Sequence, residues 1–173
     1  EFDVMMEKIE AGDPETAKLF YDAVEICAEG IKQTLLSMNV KHDAFVRETT
    51  FLLDGSMQQV LDRIEAMPET QHDGKMMYLD MSKEGFGNRY VLRRSNGTSV
   101  YAARDLAFHL YKNTLCDRSI DILGADHKLI GSQLQTALKL LGERPPEILT
   151  FEFVSLPEGS MTTRGGVFIT ADE

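Results

Sequence analysis

The chain has 173 residues, 43% hydrophobic and 27% charged, with a formal net charge of −10. That is enough chain to bury a core, with the composition of an ordinary globular protein. The acidic balance argues against a large nucleic-acid face, which needs clustered Lys and Arg to meet phosphates. No stretch reads as a signal peptide or a membrane-length apolar run.

Residues 1–12 are amphipathic at best. Asp13-Pro14-Glu15 is a helix start, with an N-cap acceptor, Pro at the first helical position and an acid at the positive end of the dipole. The spacing predicts a helix to about Met38, with Leu19, Phe20, Val24, Cys27, Ile31 and Leu35 forming a core-facing stripe and Asn39 closing it. Cys27 and Cys116 have no CxxC or metal spacing and read as two reduced thiols. Residues 40–53 are mixed, with a short strand expected at 44–46. Glu48 then falls in a loop, as a solvated acid within possible reach of a substrate. Asp54-Gly55-Ser56 caps a second helix with Val60, Leu61 and Ile64 inward. Residues 68–74 form a polar break, and its His72 has no partner at a metal-ligand spacing. Residues 75–81 and 89–94 read as the arms of a hairpin around a long glycine-containing loop. Arg93 and Arg94 read as a solvated edge, with contact to a nucleotide phosphate as the alternative. Asn96-Gly97 is a turn.

The rest of the chain is organised around residues 98–133. Tyr101 and Asp105 stand four apart in a predicted helix, so a phenol and a carboxylate share one face. Residues 119–123 are apolar apart from Asp121, as in a buried parallel strand. They end in Gly124-Ala125-Asp126-His127, and a helix over 126–141 follows with Leu129, Ile130, Leu134, Leu138 and Leu141 inward. Strand, small-residue turn and helix start is where open α/β sheets bind ligands. A guanidinium offers five donors in a planar fork, which suits a carboxylate such as Asp105. The plain alternative is that Asp105 is a helix-surface acid near His109, itself either core or surface. Gly142 and Pro145-Pro146 stop the helix, a strand is expected over 148–155, a loop over 157–166 and a short strand over 167–169. Thr170-Ala171-Asp172-Glu173 is a capping box that should open a helix, and Glu1 is not a start methionine. Both ends are therefore expected to be cuts in a longer protein.

TSVYAARDLAFH, ILGADHKLIGSQL and LPEGSMTTRGGVFIT, in that order and spacing, resemble the second half of the catalytic domain of arginyl-tRNA synthetases, class I aminoacyl-tRNA synthetases. The likeness extends upstream through ETAKLFYDAVEICAEGIKQTL and so covers nearly the whole chain. It implies an α/β fold. Residues 96–173 would be the C-terminal half of a Rossmann-like nucleotide-binding domain, and 1–95 an inserted, connective region of helices and a hairpin. It implies ATP-dependent activation of arginine and its transfer to tRNA(Arg), which in the family needs tRNA for adenylate formation. Mg²⁺ would come with ATP, with no fixed protein metal site, and the setting would be cytoplasmic, away from membranes. The tRNA would be held mostly through parts outside this chain.

The resemblance also carries roles for particular residues. Tyr101 and Asp105 match the pair that binds the substrate arginine. His127 stands where the family has Gln or His, close to amino acid and ATP. Gly124, Asp126, His127 and Met161 match the ATP-binding positions, with Asp126 able to accept from ribose hydroxyls. Ser160-Met161-Thr162-Thr163-Arg164 stands at the KMSKS signature, making Thr163 and Arg164 the catalytic candidates. Neither signature lysine is present, and Gly165 stands where a basic residue usually follows. The HIGH signature is absent from these residues, so the stretch alone is expected to be inactive. Two other readings stay open: a non-catalytic nucleotide- or amino-acid-binding module of the same half fold, and another class I synthetase specificity.

Overall fold

The computed structural model describes residues 2–152, 154–156, 159–161, 166 and 168–172. Its contacts form two units, one made of Glu1–Phe45 with Glu152–Glu173, the other of Val46–Phe151. The first begins with α1 (Phe2–Glu10) and α2 (Pro14–Ser37). α2 starts as its sequence dictates: the Asp13 carboxylate accepts the Thr16 N–H at 3.2 Å, and Pro14 stands in the first turn. It stops where Asn39 turns left-handed at φ 58, with the Val40 N–H returned to the Leu35 carbonyl at 2.8 Å. The expected core face is not buried. Leu19, Phe20, Val24, Cys27 and Ile31 line an open apolar groove with Met5, and Ile31 is 57% exposed. The reason is local: among the described residues of its unit, the main packing partner of α2 is the much shorter α1, which cannot cover a stripe of this length.

The second unit carries the core. Residues 44–46 form no strand, and Glu48 opens a helix, α3 (Glu48–Leu53), where a loop was expected. An acid in a first turn favours a helix start, and a lone strand would have had no neighbour to pair with. α4 (Ser56–Glu65) follows Gly55 at φ 81 and buries Val60, Leu61 and Ile64 as anticipated. β1 (Thr70–Asp73), β2 (Met76–Leu79) and β3 (Tyr90–Arg93) form an antiparallel sheet in that order. The β2–β3 hairpin is the expected one. β1 runs through the expected polar break, and as an exposed edge it has no apolar alternation to betray it.

α5 (Tyr101–Leu115) lies on this sheet and on α3 and α4. Its Ala103, Leu106 and Ala107 join Phe51, Ile64, Leu79, Leu92, Leu134 and Leu138 in one buried cluster. Each buried leucine there contributes about 2 kcal/mol. β4 (Ile120–Gly124), a 3₁₀ turn (Ala125–His127), α6 (Lys128–Leu140) and β5 (Glu147–Phe151) make a parallel βαβ unit, Ile120 opposite Glu147 through Gly124 opposite Phe151. Parallel pairing was expected, but burial was not achieved: Ile122 is 69% exposed and Leu149 is also open, because this sheet has two strands among the described residues. Leu129 and Ile130 of α6, expected inward, are likewise exposed. The strand expected over 148–155 is broken, ending at Phe151 and resuming in the first unit as β6 (Ser155–Leu156), which pairs antiparallel with β7 (Gly159–Ser160). Residues 168 and 169 are not in a strand, and Val167 lies outside the described residues. No helix among the described residues is long and apolar enough to cross a membrane.

Candidate functional site

The start of α5 is fixed by the turn before it. Asn96 Oδ1 accepts the Thr98 N–H at 3.0 Å, and Gly97 takes φ 93, which glycine adopts without strain. Tyr101 then stands on the first turn, 67% exposed, with the Arg104 guanidinium 4.9 Å from its ring centroid. Asp105, one turn on, is half-buried. Its carboxyl is pushed above the usual range by burial, against the pull of His109 and Arg104, while the Asp121 charge adds to the push. Glu48 of α3 behaves alike: burial raises it, Arg104 draws it down, and Asp105 raises it further. The Arg104 Nε lies 3.3 Å from Glu48 Oε1, close enough for an ion pair but not aligned as a hydrogen bond. From β3, the buried Tyr90 hydroxyl has no hydrogen-bond partner among the described residues, and burial and the Asp105 charge hold it protonated. Two carboxylates that resist ionisation thus share a neighbourhood with two phenols. Such a place gains from a cationic ligand, which offsets the desolvation that raises both acids.

β4 delivers the second group. A Cβ on Gly124 would stand 2.6 Å from Asp126 Oδ1, so only glycine lets the Asp126 carboxylate fold back over the strand end. His127 Nδ1 is 3.0 Å from the same oxygen, and both side chains are open to solvent. The structure therefore brings Asp126 and His127 together at a strand end, and Tyr101 and Asp105 together on α5. Met161 is partly buried in the other unit. Thr163 and Arg164 lie outside the described residues. Among the described residues no group of three or more His, Cys, Asp or Glu could hold a metal ion.

Over its full length the chain is 81% identical to an arginine–tRNA ligase of Methanocorpusculum labreanum, covering 31% of that protein. Over 99% of its length it is 57% identical to an arginine–tRNA ligase of Methanoregula boonei, again covering 31%. The resemblance to the arginyl-tRNA synthetases holds from end to end. The chain spans about a third of the length of these curated relatives. It also shares its fold with the Thermus thermophilus arginyl-tRNA synthetase, with a TM-score of 0.66 and 20% identity over 94% of the chain and 37% of that structure. No protein-family model matches the chain.

Three residues of this neighbourhood have contacts that the sequence alone did not indicate. Glu48 was given to a loop, and Tyr90 was only one member of a β-rich run. His109 was left between core and surface. It is buried, with Nδ1 2.7 Å from the Asp105 carbonyl and Nε2 2.7 Å from Asp121 Oδ2 on β4. Lys112 Nζ meets the other Asp121 oxygen at 2.5 Å. One signal was present: Asp121 is the single charge in an otherwise apolar strand, and a charge kept there demands a partner.

Proposed function

We propose that this chain is the second half of the Rossmann-like catalytic domain of an arginyl-tRNA synthetase, with residues 96–173 as the nucleotide-binding half and 1–95 as an inserted region. The parent reaction is activation of arginine by ATP, followed by transfer to tRNA(Arg) in the cytoplasm. One observation carries the amino-acid reading. Asp105 is a half-buried carboxylate whose charged form burial disfavours, Glu48 is a more exposed acid shifted the same way, and a guanidinium, that of Arg104, already lies near both Glu48 and the Tyr101 ring. A substrate guanidinium finds the same chemistry: a carboxylate to pair with in bidentate fashion and an aromatic face beside it. Tyr101, Asp105 and His127 bind arginine, and Glu48 adds a second acid. An amino acid lacking the guanidinium leaves Asp105 without that partner, which is a ground for rejection.

Gly124, Asp126, His127 and Met161 bind ATP in this reading, and Asp126 accepts from ribose hydroxyls. Mg²⁺ enters as part of the ATP substrate. Thr163 and Arg164 meet the charge that develops on the phosphates during transfer. ATP–pyrophosphate exchange tests the whole reading, in a full-length enzyme carrying this stretch and with tRNA present. Exchange should depend on arginine and not on lysine, and the 173-residue chain alone should give none. Exchange driven by a different amino acid would refute the assignment, and exchange by the isolated chain would refute the incomplete site.

A further inference from the structure

We propose that His109, held as an imidazolium between the Asp105 carbonyl and the Asp121 carboxylate, is a positioning residue that ties the arginine-binding helix to the strand feeding the nucleotide turn. The inference rests on the site reading above. It begins with donors and acceptors. His109 Nδ1 faces a backbone carbonyl and Nε2 faces a carboxylate, each at 2.7 Å. Neither partner has a proton to give. Asp121 is also gripped by Lys112, and its hydrogen bonds from His109 and Lys112 outweigh burial and hold its carboxyl below the usual range. Both ring nitrogens must therefore donate, which only the imidazolium can do. The charged groups around it are Asp121 from β4 and Lys112, Arg104 and Asp105 from α5 itself.

Position gives this cluster its consequence. The covalent link from α5 to β4 leaves the helix at Leu115, about 15 Å along the axis from Asp105 at the usual helical rise. It cannot fix the helix near the substrate end. His109 lies one turn from Asp105 and bonds to that residue's own carbonyl. Asp121 lies about 10 Å along the strand from Gly124. The two bonds thus join the backbone under the arginine carboxylate to the strand that ends in Asp126 and His127. His109, Asp121 and Lys112 have side chains only 7%, 12% and 19% exposed. A packed apolar pair would hold helix on strand at least as tightly, because buried charges cost desolvation. What directional charges add is a single register of one element on the other.

The test uses a full-length enzyme carrying this stretch, with Asp121→Asn and His109→Gln as variants. Each keeps side-chain size and removes one part of the tie. We expect KM for arginine and KM for ATP to rise together, about tenfold each, with kcat within about threefold. His109→Gln retains one donor and should be the milder. Variants that lose thermal stability while both KM values stay at wild type would make the cluster purely structural and overturn the proposal. A rise in arginine KM alone would overturn the link to the nucleotide turn. If neither variant folds, ¹⁵N NMR of the His109 ring in the wild-type enzyme decides: protons on both nitrogens support the tie, and a neutral ring overturns it. Asp105→Asn separates this inference from the site reading beneath it. If that substitution weakens arginine binding while Asp121→Asn leaves ATP KM unchanged, the tie alone falls. If Asp105→Asn leaves arginine KM unchanged, the site reading itself falls.

Discussion

Replacing Asp105 by Asn removes one charge and almost no volume, so its effect reads the charge. Losing the partner of a fully buried cation costs about 2–5 kcal/mol. Asp105 is half-buried, and Arg104, His109 and Lys112 already lie around it, so the low end applies. About 2 kcal/mol is roughly a thirtyfold loss at 1.36 kcal/mol per decade. In a full-length enzyme, kcat/KM for arginine should fall by about that factor while ATP KM stays within about twofold, measured by pyrophosphate exchange. A second signature comes from pH. Burial raises the Asp105 pKa, so arginine affinity should begin to fall at a higher pH than for an ordinary aspartate as the solution is acidified, and the Asn variant should lack that step. For stability the sign is opposite. Between the ordinary and the raised value the native state binds more protons than the unfolded chain, so this group's contribution falls as pH rises through that window. The Asn variant should therefore be at least as stable as wild type at neutral pH. An unchanged kcat/KM for arginine, or a clear loss of stability with normal catalysis, would refute the reasoning and leave Asp105 a structural acid.

Two smaller predictions concern packing. A Cβ on Gly131 would stand 2.7 Å from the Ile148 δ-methyl, which can rotate away, while Ala favours a helix over Gly by about 1 kcal/mol. Gly131→Ala should therefore change unfolding free energy by less than about 1 kcal/mol, whereas Gly131→Leu should cost about 3 kcal/mol by overpacking; a large loss for Ala in denaturant titration would show that α6 cannot yield against β5. The buried Tyr90 hydroxyl has no partner among the described residues, so Tyr90→Phe should leave thermal stability unchanged or raised. A loss of about 1 kcal/mol or more would reveal a hydrogen bond from an ordered water, and a raised arginine KM would assign that hydroxyl to the substrate.

What was legible in the sequence was local. The Asp13-Pro14 start, the Asn39 stop, the Asn96-Gly97 turn and the inward face of α4 all rest on interactions spanning a turn or two. All are found where the residues put them. The pairing of Tyr101 with Asp105 along α5 and the small-residue turn at Gly124 belong to the same class. Glu48, expected in a loop, opens α3 instead, and its contact with Arg104, far away in sequence, exists only because α3 packs on α5. Asp121 was visible as an anomaly, an acid in an apolar strand, while His109 read as either core or surface. Their common explanation required the crossing of helix and strand that sets them 2.7 Å apart.

The opposite error, seeing burial where there is none, has the same origin. Leu19, Val24 and Ile31 fall at helical spacing, and Ile120 and Ile122 sit in an apolar run, yet all five are exposed. Periodicity is a property of one element and reports which face is apolar. Burial is a property of its neighbours. α5 shows the converse: its own apolar signal is modest, but Ala103, Leu106 and Ala107 are fully enclosed because α3, α4, β3 and α6 all pack on it. Two of the candidate arginine-binding residues, Tyr101 and Asp105, sit on that helix. Its packing partly withdraws Asp105 from water, and the burial that raises this carboxyl is a cost that a guanidinium ligand can relieve. The packing that hid these partners from the sequence is thus the physical source of the site's chemistry.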